Sequence, residues 1–106
     1  RITMLRGRTT AFIRIATILA AMLAAGCESM PVQEMSDARQ AIMAAREAGA
    51  EEYAAEVLLE AEEALQSAEK YLDSRNYGVA RREAIEAKTK AIDALRASEA
   101  SRENQD

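Results

Sequence analysis

Residues 77–100 read YGVARREAIEAKTKAIDALRASEA, and the alanines in that stretch decide the fold. Tyr77, Ala80, Ala84, Ala87, Ala91 and Ala94 alternate steps of three and four, the spacing that keeps one face of a helix apolar over successive turns. The next step of four lands on Ser98, small but polar, so the apolar seam is expected to end near Ala94. Ile85, Ile92 and Leu95 are expected to widen it. A three–four seam is what two helices packing at a shallow angle require. Because the seam is mostly alanine, the backbones can approach closely.

Working back along the chain, Ser74-Arg75-Asn76 interrupts the helical pattern, with Asn76 placed to cap the helix that follows. Before it, from about Tyr53 to Asp73, Ala54, Val57, Leu58, Ala61, Ala64, Leu65, Ala68, Tyr71 and Leu72 form a second apolar stripe. With so short a connection, the two helices should fold into an antiparallel hairpin. An earlier, shorter helix is expected to start with Ser36 as its cap and Asp37 in its first turn. Met35, Ala38, Ile42 and Ala45 share its apolar face, and Gly49 is a natural stop. The fold class expected is therefore all-α, a short first helix followed by an antiparallel, alanine-rich hairpin. From Cys27 onward there are 18 alanines. Burial stabilises by roughly 25 cal/mol per Å², so a core this poor in large side chains should be marginal unless the chain associates with itself or a partner.

The N-terminal quarter is different in kind. Arg1, Arg6, Arg8 and Arg14 make it basic, and residues 15–25 are an uncharged run, IATILAAMLAA, closed by Gly26 and Cys27. A basic start, an apolar stretch and a small-residue exit make an export signal. The run is shorter than the roughly 20 residues that cross a bilayer as a helix. The first residue is Arg, and Met4 is a candidate initiator that keeps Arg6, Arg8 and Arg14 in the signal.

Leu23-Ala24-Ala25-Gly26-Cys27 resembles the lipobox of bacterial lipoproteins. Leu is commoner at the place of Ala24, and here Leu23 stands one position earlier. The resemblance implies that the Cys27 thiol takes a diacylglycerol group, that a signal peptidase recognising Leu23, Ala24, Ala25 and Gly26 cuts before it, and that membrane lipid then holds the chain. The expected organisation is a signal peptide over residues 1–26, a lipidated tether over 27–35, a helical domain over 36–100 and a polar tail over 101–106. Glu28 is not the Asp that resembles an inner-membrane retention signal, so the expected place is the outer membrane of a bacterial envelope, facing the periplasm.

From Cys27 onward the chain has ten bases against 18 acids, a formal net charge of −8. Such a domain repels phosphate backbones, so no nucleic-acid partner is expected, and the same repulsion argues against a basic helix lying along anionic lipid. There is no histidine, and Cys27 is the only cysteine. The commonest acid–base group and the commonest metal ligands are thus missing, and no metal, no cofactor and no enzymatic activity are expected.

Glu52, Glu56, Glu60 and Glu63 follow one another at steps of four, four and three on one helix face. They form a candidate binding stripe for a basic partner; the plainer reading is a solvated face, neutralised in part by Lys88, Lys90 and Arg96 of the next helix. A two-helix surface offers no cleft in which paired carboxylates would act as acid and base. Arg82, Glu86 and Lys90 form a row of alternating sign that supports its own helix. Tyr53, Tyr71 and Tyr77 are expected to cap the ends of the small core with their hydroxyls in water.

The segments ARQAIMAAREAGAEEYA (residues 38–54), LLEAEEAL (58–65) and NYGVARREA (76–84) resemble a bacterial family known as domain of unknown function 4398. Where that family often places a proline after the Tyr-Ala pair, this chain has Ala55. The resemblance implies an envelope lipoprotein domain and brings no catalytic residues. The peptidoglycan-binding domain that some members also carry is not expected here. Together these readings predict a membrane-anchored envelope lipoprotein with a helical interaction or structural role, binding a protein partner or itself. The alternatives are an accessory subunit of an envelope enzyme complex, or a protein held by an uncleaved signal in the inner membrane.

Overall fold

The computed structural model describes residues 9–19 and 29–105. Residues 9–19 are helical, with Phe12, Ile13, Ile15, Ile18 and Leu19 all exposed. No helix among the described residues is long and apolar enough to cross a membrane. Beyond them lie α1 (Val32–Glu47), a single turn α2 (Ala50–Tyr53), α3 (Ala55–Asp73) and α4 (Tyr77–Glu103). The chain runs up α1, down α3 and up α4, forming an antiparallel hairpin with the first helix laid along it.

The packing follows the seam. Ala80, Ala84, Ala87, Ala91 and Ala94 are fully buried along α4. They meet the other helices in layers: Met35 with Ala68 and Ala84, Ala38 with Ala64 and Ala87, and Ile42 and Ala45 with Leu58, Ala61, Ala91 and Ala94. Leu65 reaches all three layers and fills what the alanines leave. Of the three long helices, α4 packs extensively on both α1 and α3, while α1 and α3 touch each other far less.

Three boundaries differ from the sequence reading. The first helix starts at Val32, with the fully buried Pro31 at its N-cap, so Ser36 is not the cap but lies inside the helix and accepts a hydrogen bond from Gln40 (3.2 Å). Proline fits there because its fixed φ is helical and its missing N–H is not needed. The seam does not end at Ala94, because Ser98 is fully buried and its hydroxyl donates to the Ala94 carbonyl at 2.7 Å. A serine that satisfies its own hydroxyl within the helix packs like an alanine. Helix α4 then continues to Glu103, into the expected polar tail. Ile85, expected to widen the seam, is 49% exposed.

The turns show why the helices stop. Gly49 ends α1 at φ 93°, a conformation that glycine adopts without strain. Ala54 breaks the path between α2 and α3 at φ −148°, leaving Ala55 as the first residue of α3, where proline is readily placed. Helix α3 ends in a Schellman turn in which Asn76 N–H donates to the Tyr71 carbonyl (2.8 Å) and Arg75 N–H to that of Leu72 (3.0 Å). Arg75 takes the left-handed position at φ 61°. Asn76 stands at the N-cap of α4 without a side-chain capping bond.

Candidate functional site

Cys27 and the recognition residues Leu23, Ala24, Ala25 and Gly26 lie outside the described residues. The four glutamates of the candidate stripe are all exposed, Glu52 on α2 and Glu56, Glu60 and Glu63 on the α3 side that turns toward α4. Glu52 and Glu56 sit beside Ala97, while Glu60 and Glu63 sit with Glu83, Glu86 and Lys90 in the shallow furrow between α3 and α4. Lys90 Nζ lies 2.7 Å from Glu60. The hydrogen bond that Lys90 donates to Glu60, then the charge of Glu60, with Glu86 and Asp93 adding to it, raise the Lys90 pKa above its ordinary value. Lys90 therefore neutralises Glu60 from across the hairpin, whereas Lys88 turns the other way, 3.7 Å from Asp37 of α1. The structure adds Glu83 and Glu86 to the patch, two acids that belong to another helix and share no period with the stripe.

Tyr53 and the other two tyrosines cap opposite ends of the bundle. Tyr53 is half-buried and its hydroxyl bonds the Gln105 amide oxygen at 3.1 Å. Tyr71 and Tyr77 flank the α3–α4 turn, Tyr71 being the more exposed.

The expectation of a surface without a cleft is corrected by α1. Because α1 and α3 both pack on α4 but scarcely on each other, an open groove of about 590 Å³ runs between them. Ile42, Met43, Leu59 and Leu65 give it an apolar floor, with Met43 58% and Leu59 54% exposed. Two ion pairs bridge it, Arg39 to Glu69 at 3.2 Å and Arg46 to Glu62. Half-exposed pairs of this kind contribute about 0–1 kcal/mol each, so they align the two helices more than they hold them. This groove was not legible in sequence, since it arises from how three helices share one another's faces.

From Ser29 onward the chain is fixed to the bundle rather than free. Arg81 donates to the Ser29 carbonyl at 2.8 Å and to Glu34 at 3.1 Å, and Pro31 is buried. The expected tether is thus folded onto the bundle from Ser29 onward. Among the described residues no group of three or more His, Cys, Asp or Glu side chains is placed to hold a metal ion.

No curated protein and no solved structure matches the chain. The segments that carry the family resemblance lie in the helical domain laid out above, from α1 into α4. Residues 33–106 match the family described as a domain of unknown function, DUF4398, and the chain belongs to that family.

Proposed function

We propose that the chain is a lipid-anchored protein of a bacterial envelope, held on the outer membrane toward the periplasm by acylated Cys27. Its bundle has no enzymatic activity of its own and serves a structural or binding role. The observation that carries the anchor is the run Leu23-Ala24-Ala25-Gly26-Cys27 at the end of a basic, then apolar leader. The exposed apolar side chains of residues 9–19 support a leader that passes into lipid. Two or more acyl chains give stable anchoring, at about 0.8 kcal/mol for each buried methylene. The binding role is supported by the α1–α3 groove, an apolar floor with polar rims of both signs, which suits a helix of a protein partner or of a second copy.

Fractionation of cells expressing the wild type and Cys27→Ser tests the anchor. Wild-type protein is expected in the membrane fraction after a high-salt wash, with the variant retained as uncut precursor. Equal size and equal membrane attachment of both would remove the anchor. A photocrosslinker placed at Met43 in the cell tests the binding role. A discrete adduct is expected from Met43 and not from Arg102; no adduct at Met43 or at Leu59 would remove it.

A further inference from the structure

We propose that the end of the bundle formed by residues 29–32 and the α3–α4 turn docks directly on phospholipid headgroups, so that the bundle stands on the membrane with α2 outermost. The inference rests on the anchor at Cys27. Only Glu28 separates Cys27 from Ser29, and a chain advances at most about 3.6 Å per residue. An acylated Cys27 is therefore within about 7 Å of Ser29. Ser29 is itself pinned by Arg81, and Pro31 is buried two residues later. So short a link keeps the Ser29 end of the bundle, rather than the α2 end, next to the lipid.

The side chains at this end suit a headgroup layer. Met30 and Val32 are exposed, at 53% and 67%, and Tyr71 beside the turn is 39% exposed. Amphipathic rings and isolated apolar side chains are at home where one side is apolar and the other wet. The acid excess of the domain is also absent here. Glu34 and Glu69 are paired with Arg81 and Arg39, which leaves Lys70, Arg75 and Arg82 against Glu28, Asp73 and Glu83, an even balance. The opposite end carries Glu47, Glu52 and Glu56 around α2, with Glu51 paired to Arg46 at 3.8 Å. Arg75 also occupies the left-handed turn position that glycine takes without cost, holding a guanidinium at the tip despite the strain.

The test uses the full acylated protein in vesicles of phosphatidylethanolamine and phosphatidylglycerol that contain a phospholipid with a nitroxide headgroup. With Cys27 acylated, Ser74→Cys and Ser101→Cys each supply one thiol for a fluorophore. Ser74 lies in the turn before α4 and Ser101 near its far end, and the 24 residue steps from Tyr77 to Ser101 span about 36 Å. Flotation with the vesicles reports the anchor. The expected result is severalfold stronger quenching at Ser74 than at Ser101 in protein that floats. Arg81→Gln, with its helicity unchanged, is expected to reduce quenching at Ser74 toward the level at Ser101. Floating protein with equal or weaker quenching at Ser74 would overturn the docking and leave the anchor standing. Protein that does not float would overturn the anchor itself.

Discussion

Ala87→Leu probes the closeness of the helices in the middle layer, where Ala87 is fully buried against Ala38 and Ala64. Leucine adds three carbons. If the seam opened freely to receive them, their burial would stabilise the fold by about 2.4 kcal/mol, at about 0.8 kcal/mol per carbon. The structure argues the opposite sign. An alanine faces Ala87 on each neighbouring helix, so the added atoms meet backbone on both sides, and overpacking of that kind costs about 1–3 kcal/mol. The predicted net change is a loss of about 2 kcal/mol, which moves the urea midpoint down by about 2 M for a slope near 1 kcal/mol per M. Circular dichroism during urea unfolding reads this directly, with Ala100→Leu at an exposed site of the same helix as the control. That control is expected to stay within about 0.5 kcal/mol of the parent. An unchanged or raised midpoint for Ala87→Leu would refute the close packing of the alanine seam.

Three further outcomes are expected. Gly49→Ala forces a side chain into φ 93° and sets its Cβ 3.2 Å from the Tyr53 ring, so thermal unfolding should show a loss of about 1–2 kcal/mol. Arg75→Gly relieves the same kind of strain at φ 61° and should stabilise by about 0.5–1 kcal/mol in the same assay, the gain being reduced by the greater freedom of glycine in the unfolded chain. The pKa of Lys90 is raised by Glu60, so the stability linked to Lys90 is present at neutral pH and lost in alkaline solution, as pH rises through the raised value. Lys90→Gln is therefore expected to remove that part of the alkaline loss in a pH series of unfolding midpoints, and an unaltered series would show that the pair contributes nothing.

The register of the bundle was legible because a helix has a fixed period. Met35, Ala38, Ile42 and Ala45 share a face at any plausible start of α1, and all four are buried. The alanines from Ala80 to Ala94 were assigned to the core for the same reason. What failed were readings of residue type taken alone. Ser36 has the chemistry of a cap, yet Pro31 starts the helix, since burial of Met35 requires the turn before it to be folded. Ser98 reads as polar, yet its hydroxyl is satisfied by the Ala94 carbonyl and costs the seam nothing. The stripe of Glu52, Glu56, Glu60 and Glu63 was visible as a helix face, but its neighbours Glu83 and Glu86 belong to another helix. The α1–α3 groove and the grip of Arg81 on Ser29 depend on partners 16 to 52 residues apart, a distance over which no local pattern carries information.

The placement of the bundle on a membrane depends on Cys27, and the intact mass of the protein extracted from membranes tests it most directly, beside Cys27→Ser prepared in the same way. The predicted mass is that of the chain beginning at Cys27 plus its acyl groups, with no such species from the variant. An unmodified mass that still includes the leader, the same in both but for the substitution, would contradict the anchor and with it the placement of the bundle on a membrane.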